Sequence, residues 1–139
     1  MSTTSENGIF INGKAQIIEM LQLMTAKEKE RIIKHIRLKN PNLANELEEK
    51  SFSFKDLFNL RNETLKPILE AVNPAILGIS LRNLSSEIQR KVLSIISRSS
   101  AEDSFTWMTK KLNDESRDIQ RAQEKVMGNA LVILKRIRS

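Results

Sequence analysis

Ser51-Phe52-Ser53-Phe54-Lys55-Asp56-Leu57-Phe58-Asn59-Leu60 holds three of the five phenylalanines of a chain that has one tryptophan and no tyrosine. Aromatic side chains bury the most apolar area per residue. A cluster of them between polar helix signals therefore marks a place where helices on both sides are pinned. Two readings follow. Phe52 and Phe54 are core packing at the junction of two helical layers, or this Phe-x-Phe stretch is a hinge that joins two helical bodies.

The surroundings are those of an all-α protein. Four glycines and three prolines in 139 residues leave little room for a hairpin-rich β fold. The 40% hydrophobic content supports a core of one domain or two small helical subdomains. Upstream, Ala15, Ile18, Leu21 and Met24 follow a helical step after Asn12-Gly13. Residues 1–11, polar and then Ile9-Phe10-Ile11, read as a flexible tail ending in an apolar anchor. Thr25 with Glu28 three residues on forms a capping box, and Ile32, Ile33 and Ile36 mark the buried side of the helix it opens. Asn40-Pro41 is a cap followed by proline at the first helical position, opening a helix with Leu43, Ala44 and Leu47.

Downstream of the phenylalanines, Ser53 is expected to cap a short helix through Leu60, and Asn62 starts another with Leu65, Ile68 and Leu69. Pro67 lies about a turn inside that helix and predicts a weak or kinked element. Asn73-Pro74 repeats the cap-plus-proline signal. A break at Asn83 to Ser86 leads into a helix over Glu87–Ser99 with Ile88, Val92, Ile95 and Ile96. Ser100 with Asp103 predicts the next cap, with Ala101, Phe105, Met108 and Leu112 on the buried face. After the polar turn Asn113–Ser116, the longest helix carries Ile119, Ala122, Val126, Ala130, Ile133 and Ile137. Capped helices joined by short turns are the pattern of armadillo-like arrays, in which helices stack into a right-handed superhelix.

Chemistry is sparse. With no cysteine and the single His35, thiol catalysis, triads and zinc sites have no ligands, and no Gly-rich phosphate loop is present. No catalytic residue, metal site, cofactor or small-molecule substrate is expected. No run approaches a membrane span and no basic leader opens the chain, so a cytoplasmic location is expected. The charge of +6 is uneven: Lys27 to Lys39 holds six basic and two acidic residues, and the part from Ala71 onward twelve basic and seven acidic. The helix at 27–39 followed by a capped helix has the outline of a helix-turn-helix, which keeps nucleic acid as a lesser alternative. Glu28 and Glu30 interrupt its basic face, and few amides or aromatics accompany it.

Taken in order, the blocks resemble the C-terminal part of the flagellar motor switch protein family FliG. The residues that carry the likeness are Lys14-Ala15-Gln16-Ile17-Ile18, Asn40-Pro41-Asn42-Leu43-Ala44, Ser51-Phe52-Ser53-Phe54-Lys55-Asp56-Leu57, Leu81-Arg82, Arg90-Lys91-Val92-Leu93 and Arg121-Ala122-Gln123-Glu124-Lys125-Val126. The resemblance spans residues 13–138. It implies an armadillo-like subdomain at 12–50, a hinge at 51–55 with Phe52, Phe54 and Asp56, and a ridge-bearing helical subdomain at 56–139. It also implies a non-enzymatic rotor component at the inner face of the membrane, acting in motility and chemotaxis. The implied partners are switch-complex proteins and the stator's cytoplasmic domain, with self-association as a further option. Arg82, Arg90, Lys91, Arg98, Asp103, Trp107 and Lys110 are the partner-binding candidates.

The ridge departs from the family. A gap-free reading keeps a cation at Arg82 but places Ser99 where an arginine is expected and Thr106-Trp107 where two aspartates belong. Leu112-Asn113-Asp114-Glu115 replaces a Gly-Pro-Val-Arg turn. The joint has Ser51 for methionine and Lys55 for an acid. Trp107 falls off the expected apolar stripe, either covered by a neighbouring helix or exposed as an anchor for a protein partner. An accessory adaptor that docks on switch proteins without generating torque is the alternative to a rotor subunit.

Overall fold

The computed structural model describes residues 6–138, and side chains from 13 to 137. Among the described residues the regular structure is helical throughout, in the all-α, armadillo-like class that the capped-helix pattern predicts. The chain divides into two compact units, Met1–Asp56 and Leu57–Ser139.

In the first unit, α1 (Glu6–Leu23), α2 (Ala26–Lys39) and α3 (Pro41–Ser51) pack together, α3 against both of the others. The residues expected to be a tail through position 11 are corrected here: positions 6–11 belong to α1, and 1–5 lie outside the described residues. Asn12-Gly13 does not start the helix but sits inside it. A glycine there costs about 1 kcal/mol against alanine, too little to stop a helix whose Leu21 is fully buried. Local chemistry sets the next boundaries. Thr25 Oγ1 accepts from the Glu28 N–H while the Glu28 carboxylate accepts from the Thr25 N–H, a complete capping box. Asn40 Oδ1 accepts from the Leu43 N–H, with Pro41 at the first helical position. Leu21, Ile33, Ala44 and Leu47 form the core, and Ile17, Ile18, Met24, Ile32, Ile36 and Leu43 pack around it. Each large aliphatic so buried contributes about 1.5–3 kcal/mol.

The short α4 (Phe54–Leu57) spans the boundary between the units. It ends three residues before the expected Leu60, which instead closes a turn through its N–H to Leu57 O. The second unit comprises α5 (Asn62–Glu70), α6 (Pro74–Ser80), α7 (Ser86–Ile95), α8 (Arg98–Thr109) and α9 (Glu115–Arg138). The apolar α6 is its centre, packed on α8 and α9, while α5 lies on α7 and α9. Pro67 removes one backbone donor a turn into α5, yet Leu65, Ile68 and Leu69 on either side of it are buried and the nine-residue helix holds. Along α9, Ile119, Ala122, Val126, Ala130 and Leu134 are buried. Leu134 is buried as well, whereas the expected Ile137 is exposed although it lies five full turns from Ile119 on the same face.

The α7–α8 region corrects the expected boundaries. α7 stops at Ile95, and α8 is capped by Ser97, whose Oγ accepts from the Ser100 N–H. Ser97 also donates its own N–H to the Glu70 carboxylate at the end of α5 (3.0 Å). That long-range acceptor favours the earlier of two serine caps that look equivalent in the sequence.

Candidate functional site

Two sets of predicted residues need placing, those of the joint and those of the ridge. At the joint, Phe52 and Phe54 are half-buried and Phe58 is the buried aromatic of the three. Asp56 is buried, and its carboxylate organises the segment: Oδ2 accepts from the Ser53 N–H (2.8 Å) and the Ser53 hydroxyl (2.9 Å). Ser53 therefore does not cap a helix through its hydroxyl oxygen, as expected, but donates to the acid three residues on. The same Oδ2 is ion-paired with Lys29 Nζ, which also donates to Ser51 O at 3.0 Å. Lys29 is a buried lysine that sequence reasoning passed over among the cations of α2. Its signal was position: it lies four residues before Ile33, on the inward side of the helix.

On the second unit the ridge candidates separate. Arg82, Trp107 and Lys110 come together, joined by Glu115. The Arg82 side chain is only 11% exposed. Its Nη1 donates to the carbonyls of Trp107 (3.0 Å) and Lys110 (2.6 Å), and Nη2 lies 3.4 Å from Glu115 Oε2. A guanidinium under the C-terminus of α8 satisfies carbonyls that the helix leaves open and complements the helix dipole. Arg82 is a helix cap facing inward, which corrects its assignment as an outward ridge cation. Lys91 is likewise turned in, its Nζ donating to Phe58 O at 2.6 Å. Arg90, Arg98 and Asp103 are exposed and stand apart from this cluster.

Trp107 is half-buried, with part of its side chain covered and part in water. The cause is the close approach of α6 and α8. A Cβ on Gly78 would lie 2.2 Å from Ser104 O and 2.9 Å from Trp107 Cβ. Ser104 is fully buried and its hydroxyl donates to Pro74 O at 3.0 Å. Small residues thus set the inner face of α8 at Ser104 and Trp107, rather than on the expected stripe through Phe105. Phe105 is 55% exposed in consequence. Lys110 Nζ sits 4.3 Å from the Trp107 ring centroid, a cation–π contact on the ring's outer side.

The basic helix α2 is partly consumed by the first unit. Arg37 pairs with Glu48 at 3.5 Å, and Lys29 is buried. His35 is exposed beside a shallow groove of about 440 Å³ that Arg31, Ile32, Ile36 and Lys39 also line. Two carboxyls of this unit are held below the ordinary glutamate value of 4.5: Glu28 by the Thr25 backbone N–H and hydroxyl, and Glu46 by hydrogen bonds from Lys50 and Lys14.

The family model of the FliG C-terminal domain matches residues 34–135. The chain belongs to the FliG C-terminal domain family. It is 24% identical over 132 residues to the flagellar motor switch protein FliG of Borreliella burgdorferi, covering 91% of this chain and 37% of that protein. To the Thermotoga maritima FliG it is 26% identical over 121 residues, covering 85% of the chain and 34% of the relative. It thus spans little more than a third of the length of these relatives. Among solved structures, full-length FliG from Aquifex aeolicus superposes with a TM-score of 0.53 at 27% identity, over 91% of this chain and 39% of that one. A FliG crystal structure from H. pylori gives 0.60 at 20% identity, over 86% and 53%, and bears on the fold alone. No helix of the described residues is long and apolar enough to cross a membrane.

Proposed function

We propose that this chain is a non-enzymatic component of a flagellar motor switch complex that works by protein docking, without a torque-generating ridge of charges. FliG relatives are named as motor switch proteins, which supports the setting. The observation that carries the finer reading is the inward Arg82. The one cation that the gap-free reading keeps on the ridge is spent on the Trp107 and Lys110 carbonyls and on Glu115. What α8 presents outward instead is Arg98, Glu102, Phe105 and Thr109, one helical stripe with an exposed aromatic in its middle.

An exposed aromatic with polar neighbours is the composition of an interface anchor. The docking residue is therefore Phe105, in place of Trp107, with Arg98 and Asp103 at its rim. The partners are switch-complex proteins, with the stator's cytoplasmic domain as the second option, at the cytoplasmic face of the membrane. Loss of the ridge charges favours an adaptor over a torque-bearing rotor subunit.

The test uses a motile cell that lacks its own switch protein and, separately, one that has it. The adaptor reading expects capture of switch proteins by the chain, no rescue of motility in the deletion strain, and loss of capture on Phe105→Ala with Trp107 fluorescence unchanged. Rescue of rotation would overturn the adaptor reading. Capture unaffected by Phe105→Ala would remove the docking residue.

A further inference from the structure

The basic helix α2 spends two of its cations inside the first unit, Lys29 on Asp56 and Arg37 on Glu48. Four others, Lys27, Arg31, Lys34 and Lys39, are exposed and make no ion pair among the described residues. They frame apolar surface. The groove of about 440 Å³ has the half-buried Ile32 and Ile36 in its floor and Arg31, His35 and Lys39 at its edge. A second shallow groove, lined by Lys27, Glu30, Arg31 and Lys34, shares Arg31 with it. Leu38, one turn past Lys34, is 81% exposed.

We propose that this outer face of α2 is a docking site for an acidic amphipathic helix of a partner protein. The groove spans about 12 Å along α2 from Arg31 to Lys39, the length of two turns of a helix laid along it. Apolar side chains at i, i+4 and i+7 of the incoming helix cover Ile32 and Ile36, the usual mode of a helix in a groove. Its carboxylates meet Arg31 and Lys39, while Lys27 and Lys34 draw the acidic face in from further off. The apolar floor is what favours a protein over nucleic acid. A phosphate backbone would pair with the cations but leave Ile32, Ile36 and Leu38 uncovered, and it would meet Glu30. The helix also has no amide side chain, and no ring besides His35, to read base edges. The site uses none of the residues of the α8 stripe around Phe105 and does not rest on that reading.

The probe is a labelled synthetic peptide of about 15 residues, with leucines at i, i+4 and i+7 and glutamates on the flanking positions. Its binding to the full chain is read by fluorescence anisotropy. A Kd of roughly 1–100 µM is expected, rising with salt because the steering charges are exposed. Scattering the leucines round the helix, or exchanging glutamate for lysine, should weaken binding roughly tenfold or more. So should Arg31→Glu combined with Lys39→Glu. Arg121→Glu with Lys125→Glu, equally exposed but on α9, should change it by less than about twofold, and Phe105→Ala should leave it unchanged. His35 is the only histidine, so its ring proton resonances report the groove in the wild type, with no variant needed, and should shift as peptide is added. No binding of the acidic probe, equal binding of the scattered-leucine peptide, or unmoved His35 resonances would overturn the proposal. Equal loss from the α9 reversals would reduce the effect to net charge and overturn it too. A duplex oligonucleotide that binds more tightly than the probe at the same salt would give the face to nucleic acid instead. None of these results bears on capture through Phe105, which is tested by its own variant.

Discussion

Replacing Arg82 by methionine separates a structural cap from a ridge charge. The variant keeps most of the aliphatic stem and removes the guanidinium. Two hydrogen bonds from a charged donor are lost, at 3.0 and 2.6 Å, leaving the Trp107 and Lys110 carbonyls at the end of α8 without them. Hydrogen bonds to charged groups are worth about 1.5–3 kcal/mol each. The pair with Glu115 adds little, since that carboxylate is 58% exposed and such pairs contribute about 0–1 kcal/mol. Against these stands the relief of desolvating a guanidinium whose Nε is buried without a partner among the described residues. The net expectation is about 2–3 kcal/mol of destabilisation, a fall of roughly 10–20 °C in Tm for a unit of this size. Trp107 is the only tryptophan of the chain and sits at the perturbed end of α8, so its fluorescence during urea or thermal unfolding reads the second unit directly. Arg82→Lys should recover only part of the loss, because one ammonium cannot reproduce the guanidinium fork. An exposed ridge charge would change stability by no more than about 0.5 kcal/mol. A variant that unfolds within about 3 °C of the wild type would refute the cap.

Other outcomes follow from the same geometry. Gly78→Ala gains about 1 kcal/mol of helix propensity but forces α6 from the backbone of α8, so overpacking of about 1–3 kcal/mol should win; a variant more stable than the wild type in thermal unfolding would contradict the close approach. Phe105→Ala should cost about 1 kcal/mol of stability or less, since more than half of the ring is already in water, and should weaken partner binding roughly tenfold or more in titration calorimetry. Glu46 and Glu28, held below 4.5, favour the folded first unit fully above that pH, and the contribution is lost as pH falls through their lowered values. Circular dichroism of acid unfolding should therefore show Glu46→Gln to be less pH-sensitive between about pH 5 and 3 than the wild type.

Much of the secondary structure was legible from one sequence because caps are local. Thr25 with Glu28, Asn40-Pro41 and Asn73-Pro74 satisfy helix N-termini within three residues of themselves, and each sits where the spacing predicts. The family, too, was legible, from short blocks in a fixed order. The site was legible only in part. Ser97 and Ser100 are equivalent as caps until Glu70, remote in the chain, accepts the Ser97 N–H. Phe105 and Trp107 exchange the roles that hydrophobic periodicity gives them, because Gly78 and Ser104 let two helix backbones meet and turn α8 accordingly.

The sequence by itself determined that this is an all-α chain of capped helices with the block order of a FliG C-terminal part. Those features depend on residues within a turn or two of one another. Only the tertiary structure decided which charges are spent inside. Lys29 reaches Asp56, Lys91 reaches Phe58 and Arg82 reaches the end of α8, each across more than twenty residues of chain. A lysine or arginine reads the same in sequence whether it faces water or a buried acceptor. The difference is made by the neighbour that folding brings to it.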